Sequence, residues 1–274
     1  MDEKLPSLKD VIACYDLAPK KSLGQHFLLN PSVLEKIVTT AGDLSEYSVI
    51  EVGPGPGGLS RVICEKGCRH FYLIEKDDRA IEGLSLLEKH FKTPLTILAK
   101  DALEVSAHTL GDSPRKLISN LPYNVSVPLF LRWLEHIQDF DLLVLMFQKE
   151  VALRLKAKPS TPDYGRLSVI TQLVADVELL FDLPPGAFSP PPKVVSSIIR
   201  VRPKKKPPTI DFNSFEKLTA AAFGQRRKML RSSLKSLMKN PEELLEKAGI
   251  EPTSRAEELT PQDFFNFYQH WRLS

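Results

Sequence analysis

Residues 47–63 read YSVIEVGPGPGGLSRVI, and this stretch decides the fold. Residues 47–52 are rich in β-branched side chains, which predicts a short buried strand. A turn with four glycines follows, and then Leu59, Val62 and Ile63 at helical spacing. A strand that enters a glycine-rich turn and then a helix is typical of a nucleotide-binding α/β sheet, because glycine permits positive φ and close approach to the backbone.

The glycine loop resembles a dinucleotide-binding loop with one difference. Gly53, Gly55 and Gly58 match the pattern G-x-G-x-x-G. Pro54 and Pro56 lie between them, and proline has no N–H to donate to a pyrophosphate. We therefore predict a cofactor that carries adenosine without phosphate, S-adenosyl-L-methionine, bound at Gly53 and Gly55.

Two further predicted strands end near carboxylates. Glu75 follows the apolar run 71–74, and Asp101 and Ala102 follow the run 95–98. Either carboxylate alone is more simply a solvated charge at a strand end. Ligands of open parallel sheets bind at the carboxyl ends of the strands. We therefore predict a Rossmann-like α/β domain in which Glu75 binds the cofactor ribose, while Asp101 and Ala102 bind its adenine.

The segment KLISNLPY, residues 116–123, predicts a strand that stops at a polar and aromatic tetrapeptide. Pro122 holds Leu121 in an extended conformation. The Asn120 amide oxygen and the Leu121 carbonyl can accept hydrogen bonds from an exocyclic amine, and the Tyr123 ring can stack on its base. An isolated Asn-x-Pro-Tyr is more often an Asx-type turn that closes a strand. The glycine loop upstream favours the functional interpretation.

A proline-rich connector, residues 183–192, leads into a strand predicted at residues 194–201. Phe188 within it is either a hydrophobic plug or a ring that closes over the base opposite Tyr123. Residues 204–208, KKKPP, predict a linker, and an all-helical tail begins at about Phe212. The predicted domains are residues 1–205 and 206–274.

Charge is distributed unevenly along the chain, whose net charge is +3. Residues 183–239 contain 13 Lys and Arg against 2 Asp and Glu, which predicts a polyanion-binding surface. Its arginines cluster around Lys228. Arg227, Arg231 and Lys235 are spaced four residues apart, which predicts that they lie on one face of a helix. The predicted RNA-binding residues, called the basic segment below, are Arg226, Arg227, Lys228, Arg231 and Lys235.

Composition is that of an ordinary globular protein of 274 residues, with 42% hydrophobic and 26% charged side chains. Cys14, Cys64 and Cys68 are odd in number and have no histidine cluster near them, so we expect free thiols and no metal. The sequence contains no long apolar run and starts with an acidic segment, and we expect a cytoplasmic protein that is not bound to membranes.

With these motifs together, the chain resembles the rRNA adenine N6,N6-dimethyltransferase family, and most of all its bacterial small-subunit members. Residues 21–28, KSLGQHFL, are similar to the N-terminal cofactor motif, although His26 stands where Asn is common. The segments 51–60, 120–123 and 188–196 resemble the glycine-rich motif, the target-amine motif and F-x-P-x-P-x-V-x-S. Ala222–Lys228 resembles the start of the helical domain.

This resemblance implies the function and several roles. His26 and Leu28 would contact the methionine portion of S-adenosylmethionine, while Asn120 would lie beside the methyl group. The implied reaction is dimethylation of N6 of two adjacent adenosines in a loop near the 3′ end of small-subunit (16S) rRNA during ribosome assembly. We expect the partner to be the 30S particle and the enzyme to be a monomer.

Three alternatives stay open from the sequence. A nicotinamide-dependent dehydrogenase would share the glycine loop and Glu75, but it has no use for Asn120–Tyr123 or the basic segment. A non-catalytic nucleic-acid binder on the same scaffold would lose cofactor residues, and none is lost here. A large-subunit (23S) rRNA adenine N6-methyltransferase of the antibiotic-resistance type shares the catalytic motifs. The helical tail with Gln225–Lys228 favours the small subunit.

Overall fold

The structure, a computed structural model, describes residues 5–19, 26–225 and 227–273. Its strands are listed here in chain order: β1 (Phe27–Leu28), β2 (Ser48–Val52), β3 (His70–Glu75), β4 (Leu95–Ala99), β5 (Arg115–Asn120), β6 (Leu142–Gln148), β7 (Ala175–Leu183), β8 (Phe188–Ser189) and β9 (Ser196–Pro203). Seven of them form one sheet in the order β4-β3-β2-β5-β6-β9-β7, and β1 pairs with β8 in a second, two-stranded sheet.

Strand direction decides which residues meet at the edge of the large sheet. Strands β2 to β6 pair in parallel with their neighbours, so that Asn120 lies opposite Met146. Strand β9 runs antiparallel to β6 and places Ser196 opposite Gln148. The carboxyl ends of five parallel strands and the beginning of β9 therefore share one edge. The predicted Rossmann-like sheet is confirmed.

The helices start at residues that satisfy their free N–H groups. Asn30 and Asp77 cap the second and fourth helices through their side chains, and Pro31 and Pro261 begin the second and last. The helices are α1 (Leu8–Cys14), α2 (Pro31–Thr39), α3 (Gly58–Lys66), α4 (Asp78–His90), α5 (Tyr123–Glu135), α6 (Lys149–Lys156), α7 (Arg166–Val174), α8 (Phe212–Phe223), α9 (Leu230–Ser233), α10 (Pro241–Lys247) and α11 (Pro261–Arg272).

The central strands are buried on both faces, as expected for parallel strands covered by helices. Val49, Ile50, Leu117 and Ile118 are fully buried. Each such side chain contributes about 1.5–3 kcal/mol relative to an exposed one. The core thus fixes the strands whose carboxyl ends form the edge described above.

The chain divides into two compact units. The first contains the residues up to Lys149 together with Glu178–Pro203, and the second contains Glu150–Val177 and Lys204 onward. The sequence placed residues 150–177 in the first domain, with the boundary at residues 205 and 206. In the second unit, Tyr164 is fully buried and donates a hydrogen bond to the Leu259 carbonyl over 2.7 Å, which ties this early segment to the helical tail.

Several predicted elements have the expected positions. The helical tail begins with α8 at Phe212, and residues 157–163 form turns without a regular element. Strand β9 starts at Ser196 instead of Val194. The sequence did not predict β7, because its buried and exposed side chains follow no strict alternation. Among the described residues, no helix is both long and apolar enough to cross a bilayer.

Gly111 tests the packing of the first unit. Its φ is +64°, and a Cβ there would lie 2.6 Å from Ser48 Oγ and 2.7 Å from the Tyr72 ring. Gly111→Ala should therefore reduce the free energy of unfolding by about 2–5 kcal/mol in urea denaturation, through backbone strain plus overpacking.

Gly67→Ala is the matched control. Its φ is +73°, and a Cβ there would meet no atom within 4 Å. Its ψ is 144°, so the backbone lies in a region that favours glycine, and the variant should lose only the strain of that conformation, about 1–3 kcal/mol. Equal losses in the two variants would show that the contact of Gly111 with Ser48 and Tyr72 does not limit stability.

Candidate functional site

A cleft lies at the carboxyl edge of the sheet, at the ends of β2, β3 and β5. The space inside it is about 850 Å³ when its open mouth is included. The predicted residues brought together along it are His26, Leu28, Gly53, Gly55, Glu75, Asn120, Leu121 and Tyr123. Residues 20–25, which include most of the N-terminal motif, lie outside the described part of the chain.

The glycine loop is shaped by close contacts. Gly53 and Gly55 have φ of +65° and +54°. A Cβ on Gly53 would lie 3.3 Å from Pro122 Cδ, and a Cβ on Gly55 would lie 3.1 Å from the Phe27 ring. Larger residues would therefore push the loop away from the tetrapeptide after β5 and from β1. Gly53 and Gly55 therefore allow the glycine loop to pack directly against the tetrapeptide after β5 and against β1.

Glu75 is 6% exposed and holds the loop through its carboxylate. Oε2 accepts a hydrogen bond from Gly55 N over 3.2 Å, while Oε1 accepts from the N–H groups of Lys76 and Asp77 over 2.8 and 3.0 Å. Burial raises the pKa of Glu75, and these backbone donors oppose the rise. A carboxylate accepts about four hydrogen bonds, so Oε2 keeps capacity for a ligand hydroxyl.

Glu51 also lines the cleft, and sequence analysis assigned it no role. Its side chain is 2% exposed, and Ser60 Oγ donates to its Oε2 over 2.7 Å. Burial, which outweighs the Ser60 hydrogen bond, raises the pKa of Glu51 to about 8, with Glu75 adding repulsion. Its place two residues before the glycine loop is the signal that could have identified it.

A hydrogen bond holds the Asn120 side chain against the residue that precedes β1. Its Nδ2 donates to the His26 carbonyl over 3.3 Å. The His26 ring in turn contacts the Pro190 carbonyl through Nδ1 at 2.9 Å. Because the amide nitrogen is occupied, the Asn120 oxygen is the end of this side chain that remains to accept a hydrogen bond. Leu121, the next residue, is buried.

Tyr123 begins α5 and is partly buried. The centroids of its ring and the His26 ring are 5.6 Å apart, at an interplanar angle of 33°. Its hydroxyl lies 2.5 Å from Ser196 Oγ. Burial raises the pKa of Tyr123, against the smaller effect of this hydrogen bond. A neutral aromatic ring thus lines the cleft beside Asn120.

Phe188 differs from the prediction that its ring closes over a base. It pairs with Leu28 across β1 and β8, is 5% exposed, and belongs to the hydrophobic cluster that includes Leu34. The prediction is corrected because strand pairing turns this ring into the core. Of the two interpretations that the sequence allowed, Phe188 fits the hydrophobic plug.

Asp101 has different partners from those predicted. Its side chain caps a short 3-10 helix by accepting from Leu103 N over 2.9 Å, and Lys76 Nζ lies 3.1 Å from its Oδ2. The Leu103 hydrogen bond and then Lys76 lower the pKa of Asp101. Within the described part of the chain, Lys76 lines the cleft, whereas Asp101 and Ala102 do not.

The basic segment does not form the single helix that the spacing predicts. Arg226 lies outside the described residues, and exposed Arg227 and Lys228 precede α9. Met229 has ψ of 150°, an extended conformation that starts α9 afresh at Leu230. Arg231 then lies in α9, 3.9 Å from Glu242, and Lys235 lies in a 3-10 helix. The cations therefore lie on three short segments, while Leu230 and Leu234 are buried.

Three side chains outside the cleft have the composition of a metal site, and the sequence predicted none. Ligand atoms of His108, His136 and Asp139 lie within 4.8 Å of one another. The two imidazole rings, however, stack with centroids 3.6 Å apart at 12°. Lone pairs in nearly parallel planes do not converge on one ion. Burial and then repulsion from His136 lower the pKa of His108, which favours the neutral stack.

The arrangement can now be compared with known proteins. The family model described as ribosomal RNA adenine dimethylase matches residues 17–272. The chain belongs to the ribosomal RNA adenine dimethylase family.

Relatives within this family match over nearly all of their length. A protein of Paramagnetospirillum magneticum is 50% identical over 95% of this chain and 92% of its own. A protein of Gluconobacter oxydans is 47% identical over 96% of this chain and 86% of its own. Each is named ribosomal RNA small subunit methyltransferase A.

Solved structures show the same fold. A dimethyladenosine transferase from Plasmodium falciparum has a TM-score of 0.78 and is 26% identical, covering 90% of this chain and 98% of that chain. The 23S rRNA methyltransferase ErmE has a TM-score of 0.64 and is 23% identical, covering 89% and 98%. The second likeness is evidence for the fold alone.

The family and fold imply S-adenosyl-L-methionine as cofactor, and the cleft of this dimethylase fits it. Glu75 keeps acceptor capacity for a ribose, and Gly53 and Gly55 line the cleft beside it. The carboxyl groups of Glu51 and Glu75 suit a cationic ligand. The dehydrogenase alternative is thereby removed.

The raised pKa of Glu51 leads to a pH prediction. Between the ordinary value of 4.5 and about 8, the folded protein holds a proton that the unfolded chain has released. Its stability therefore falls as pH rises through this window, by at most about 1.4 kcal/mol per pH unit from this group. Glu51→Gln imitates the protonated form and should lack this part of the slope in urea unfolding measured from pH 4.5 to 8.5.

Glu65→Gln provides the control, since this side chain lies exposed on α3. It should leave the pH dependence of the wild-type free energy of unfolding unchanged. Parallel curves for Glu51→Gln and the wild type would mean that Glu51 is ionised in the folded protein at neutral pH.

Proposed function

We propose that this dimethylase transfers methyl groups from S-adenosylmethionine to N6 of two adjacent adenosines in a loop near the 3′ end of small-subunit rRNA. One observation carries the proposal: Asn120, Leu121 and Tyr123 line the same cleft as Gly53 and Glu75. A site for an exocyclic amine thereby adjoins a site for an adenosine-containing cofactor. The names of the small-subunit relatives support the choice of RNA.

Residues of the cleft would hold the cofactor, whose chemistry is a methyl group made electrophilic by a sulfonium sulfur. Glu75 would accept from the ribose hydroxyls, and the Gly53 and Gly55 backbone would lie against the ligand. His26 and Leu28 would contact the methionine portion. Asp101 and Ala102 remain the proposed adenine contacts, which requires Lys76 to share or release Asp101 Oδ2, 3.1 Å away.

The chain's part in the chemistry is to orient a weak nucleophile. An adenine amine is weak because its lone pair is delocalised into the ring. The Asn120 oxygen and the Leu121 carbonyl would accept its two hydrogens, which favours a pyramidal nitrogen and directs the lone pair. Hydrogen bonding of Asn120 Nδ2 to the His26 carbonyl fixes which end of the amide faces the base.

The target base would have to leave its stack to reach the cleft, at a cost of a few kcal/mol. Stacking on the Tyr123 ring would contribute about 1–3 kcal/mol against this cost. With Phe188 buried in the core, Tyr123 is the aromatic residue of the cleft that we propose for this role. Unpaired loop adenosines are the natural substrates because less pairing is lost.

RNA would bind through phosphate contacts made by the basic segment, for which Arg226, Arg227, Lys228, Arg231 and Lys235 remain the proposed residues. Exposed Arg227, Lys228 and Lys235 are available for phosphates, whereas Arg231 also faces Glu242. The partner in this proposal is the 30S particle, bound by a monomer in the cytoplasm. A 23S rRNA target is the competing proposal, and the identities of 47–50% to small-subunit enzymes favour 16S rRNA.

Asn120→Ala tests the amine site. Removal of one positioned polar group from a transition state typically costs about 100-fold or more in rate. Single-turnover transfer of labelled methyl to unmethylated 30S particles should fall at least about 100-fold, while RNA affinity survives because phosphate contacts dominate it. A parallel assay with unmethylated 50S particles, followed by mapping of the labelled adenosines on 16S and 23S rRNA, decides the target.

Asn213→Ala, at an exposed position in α8, serves as the matched control and should transfer at the wild-type rate. If Asn120 only closes a turn, Asn120→Ala will show a lower melting temperature with normal turnover of the folded fraction. That pattern would remove Asn120 from the mechanism.

The basic segment is tested by the salt dependence of RNA binding. Replacing Arg227, Lys228 and Lys235 with Gln should weaken binding and make the slope of log K against log salt shallower by about one unit per lost phosphate contact. Affinity for S-adenosylmethionine, measured by calorimetry, should stay unchanged.

The control replaces exposed Lys66, Lys89 and Lys92 of the first unit with Gln, which removes the same charge. If both triple variants have the same salt slope, the segment makes no specific phosphate contacts.

A further inference from the structure

Ser196 reaches the cleft edge because β9 runs against the other strands. Four pairings in the large sheet are parallel, and their strands bring carboxyl ends to the cleft. Strand β9 is antiparallel to β6, so it brings its first residue to that edge, where Ser196 pairs with Gln148. Ser196 is fully buried. The sheet therefore fixes the small polar side chain of Ser196 beside the carboxyl end of β6.

The partner of this serine is the ring that lines the cleft. Tyr123 hydroxyl and Ser196 Oγ lie 2.5 Å apart, although 73 residues separate them in sequence. A tyrosine ring turns about two side-chain bonds, and both are fixed once the backbone and the hydroxyl are held. The backbone of Tyr123 is held at the first position of α5, directly after Pro122. The hydrogen bond to Ser196 holds the other end.

We propose that Ser196 is a positioning residue that sets the plane of Tyr123 for stacking on the target adenine. This inference rests on the proposed function, because it needs a base in the cleft. Stacking requires two planes to be nearly parallel, and functional groups must be held within about 10–20° of the productive geometry. Without the hydrogen bond to Ser196, the Tyr123 ring still lies in the cleft, but its plane adopts other orientations. The Asn120 and Leu121 acceptors then meet the amine less often.

A merely structural role makes a different prediction. A buried tyrosine hydroxyl usually finds a partner, and such a bond contributes to stability whatever the ring does. Under that role, loss of the bond lowers the melting temperature and leaves the transfer rate of folded enzyme unchanged. Positioning lowers the rate constant itself.

The next residue along β9 supplies a matched control. Ser197 is equally buried, and its Oγ donates to Asp182 Oδ1 over 2.6 Å. Its side chain points to the opposite face of the strand from Ser196, because residues alternate along β-strands. Ser197→Ala therefore removes one buried serine hydrogen bond from the same strand without touching Tyr123.

The experiment is a mutant cycle on single-turnover methyl transfer to 30S particles, with saturating S-adenosylmethionine and RNA and rates normalised to cofactor-binding sites. Ser196→Ala should reduce the rate constant about 10-fold to 100-fold, the range attributed to small misplacements of reacting groups. Tyr123→Phe, which keeps the ring and removes the hydroxyl, should do the same. The double variant should be no slower than the slower single variant. Ser197→Ala should transfer at the wild-type rate.

Each contrary result has a distinct meaning. A wild-type rate constant in Ser196→Ala, with or without a lower melting temperature, overturns the positioning role. Independent losses that multiply in the double variant overturn it too. If Ser196→Ala does not fold, Tyr123→Phe removes the same bond and decides the matter. No transfer to adenosine by the wild-type protein would overturn the proposed function, and this inference with it.

Discussion

The approach of Gly53 to Pro122 is the constraint on which the cleft depends. A Cβ at Gly53 would lie 3.3 Å from Pro122 Cδ, so the loop after β2 and the tetrapeptide after β5 touch without a side chain between them. Strands β2 and β5 are neighbours in the sheet, and this contact keeps their ends together. Under the proposed function, the glycine loop would contact the cofactor and Asn120–Tyr123 would contact the target amine. Their contact converts two separate motifs into one site.

The parts of the fold that follow local rules could be predicted from the sequence. Runs of β-branched and aliphatic residues identified β2 to β5, because parallel strands covered on both faces need continuous apolar sequence. Chemistry at strand ends then predicted the cleft, since parallel strands share an edge, and Gly53, Glu75 and Asn120 do line it. The start of the helical tail at Phe212 followed from its composition.

Features set by long-range pairing could not be predicted in this way. Phe188 enters the core because β8 pairs with β1, more than 150 residues earlier in the chain. Ser196 meets Tyr123 only because β9 is antiparallel to β6, and no local pattern specifies that direction. The prediction that the basic segment forms one helix was wrong for a local reason. Met229 is extended and interrupts the helix that the four-residue spacing assumed. Spacing rules hold only within one continuous helix.

The uneven charge of the chain suits the two proposed ligands, which carry charges of opposite sign. The cleft contains the carboxyl groups of Glu51 and Glu75, whose burial raises both pKa values because charge is costly there. A cationic ligand lowers that cost and favours ionisation. Ionised carboxylates would repel RNA phosphates, which agrees with the proposal that the basic segment, and not the cleft, makes the phosphate contacts. Residues 183–239 hold 13 basic and 2 acidic side chains, whereas residues 1–182 hold 21 basic and 25 acidic ones. Under the proposed function, this separation of charges along the sequence would let one protein attract both a cation and a polyanion.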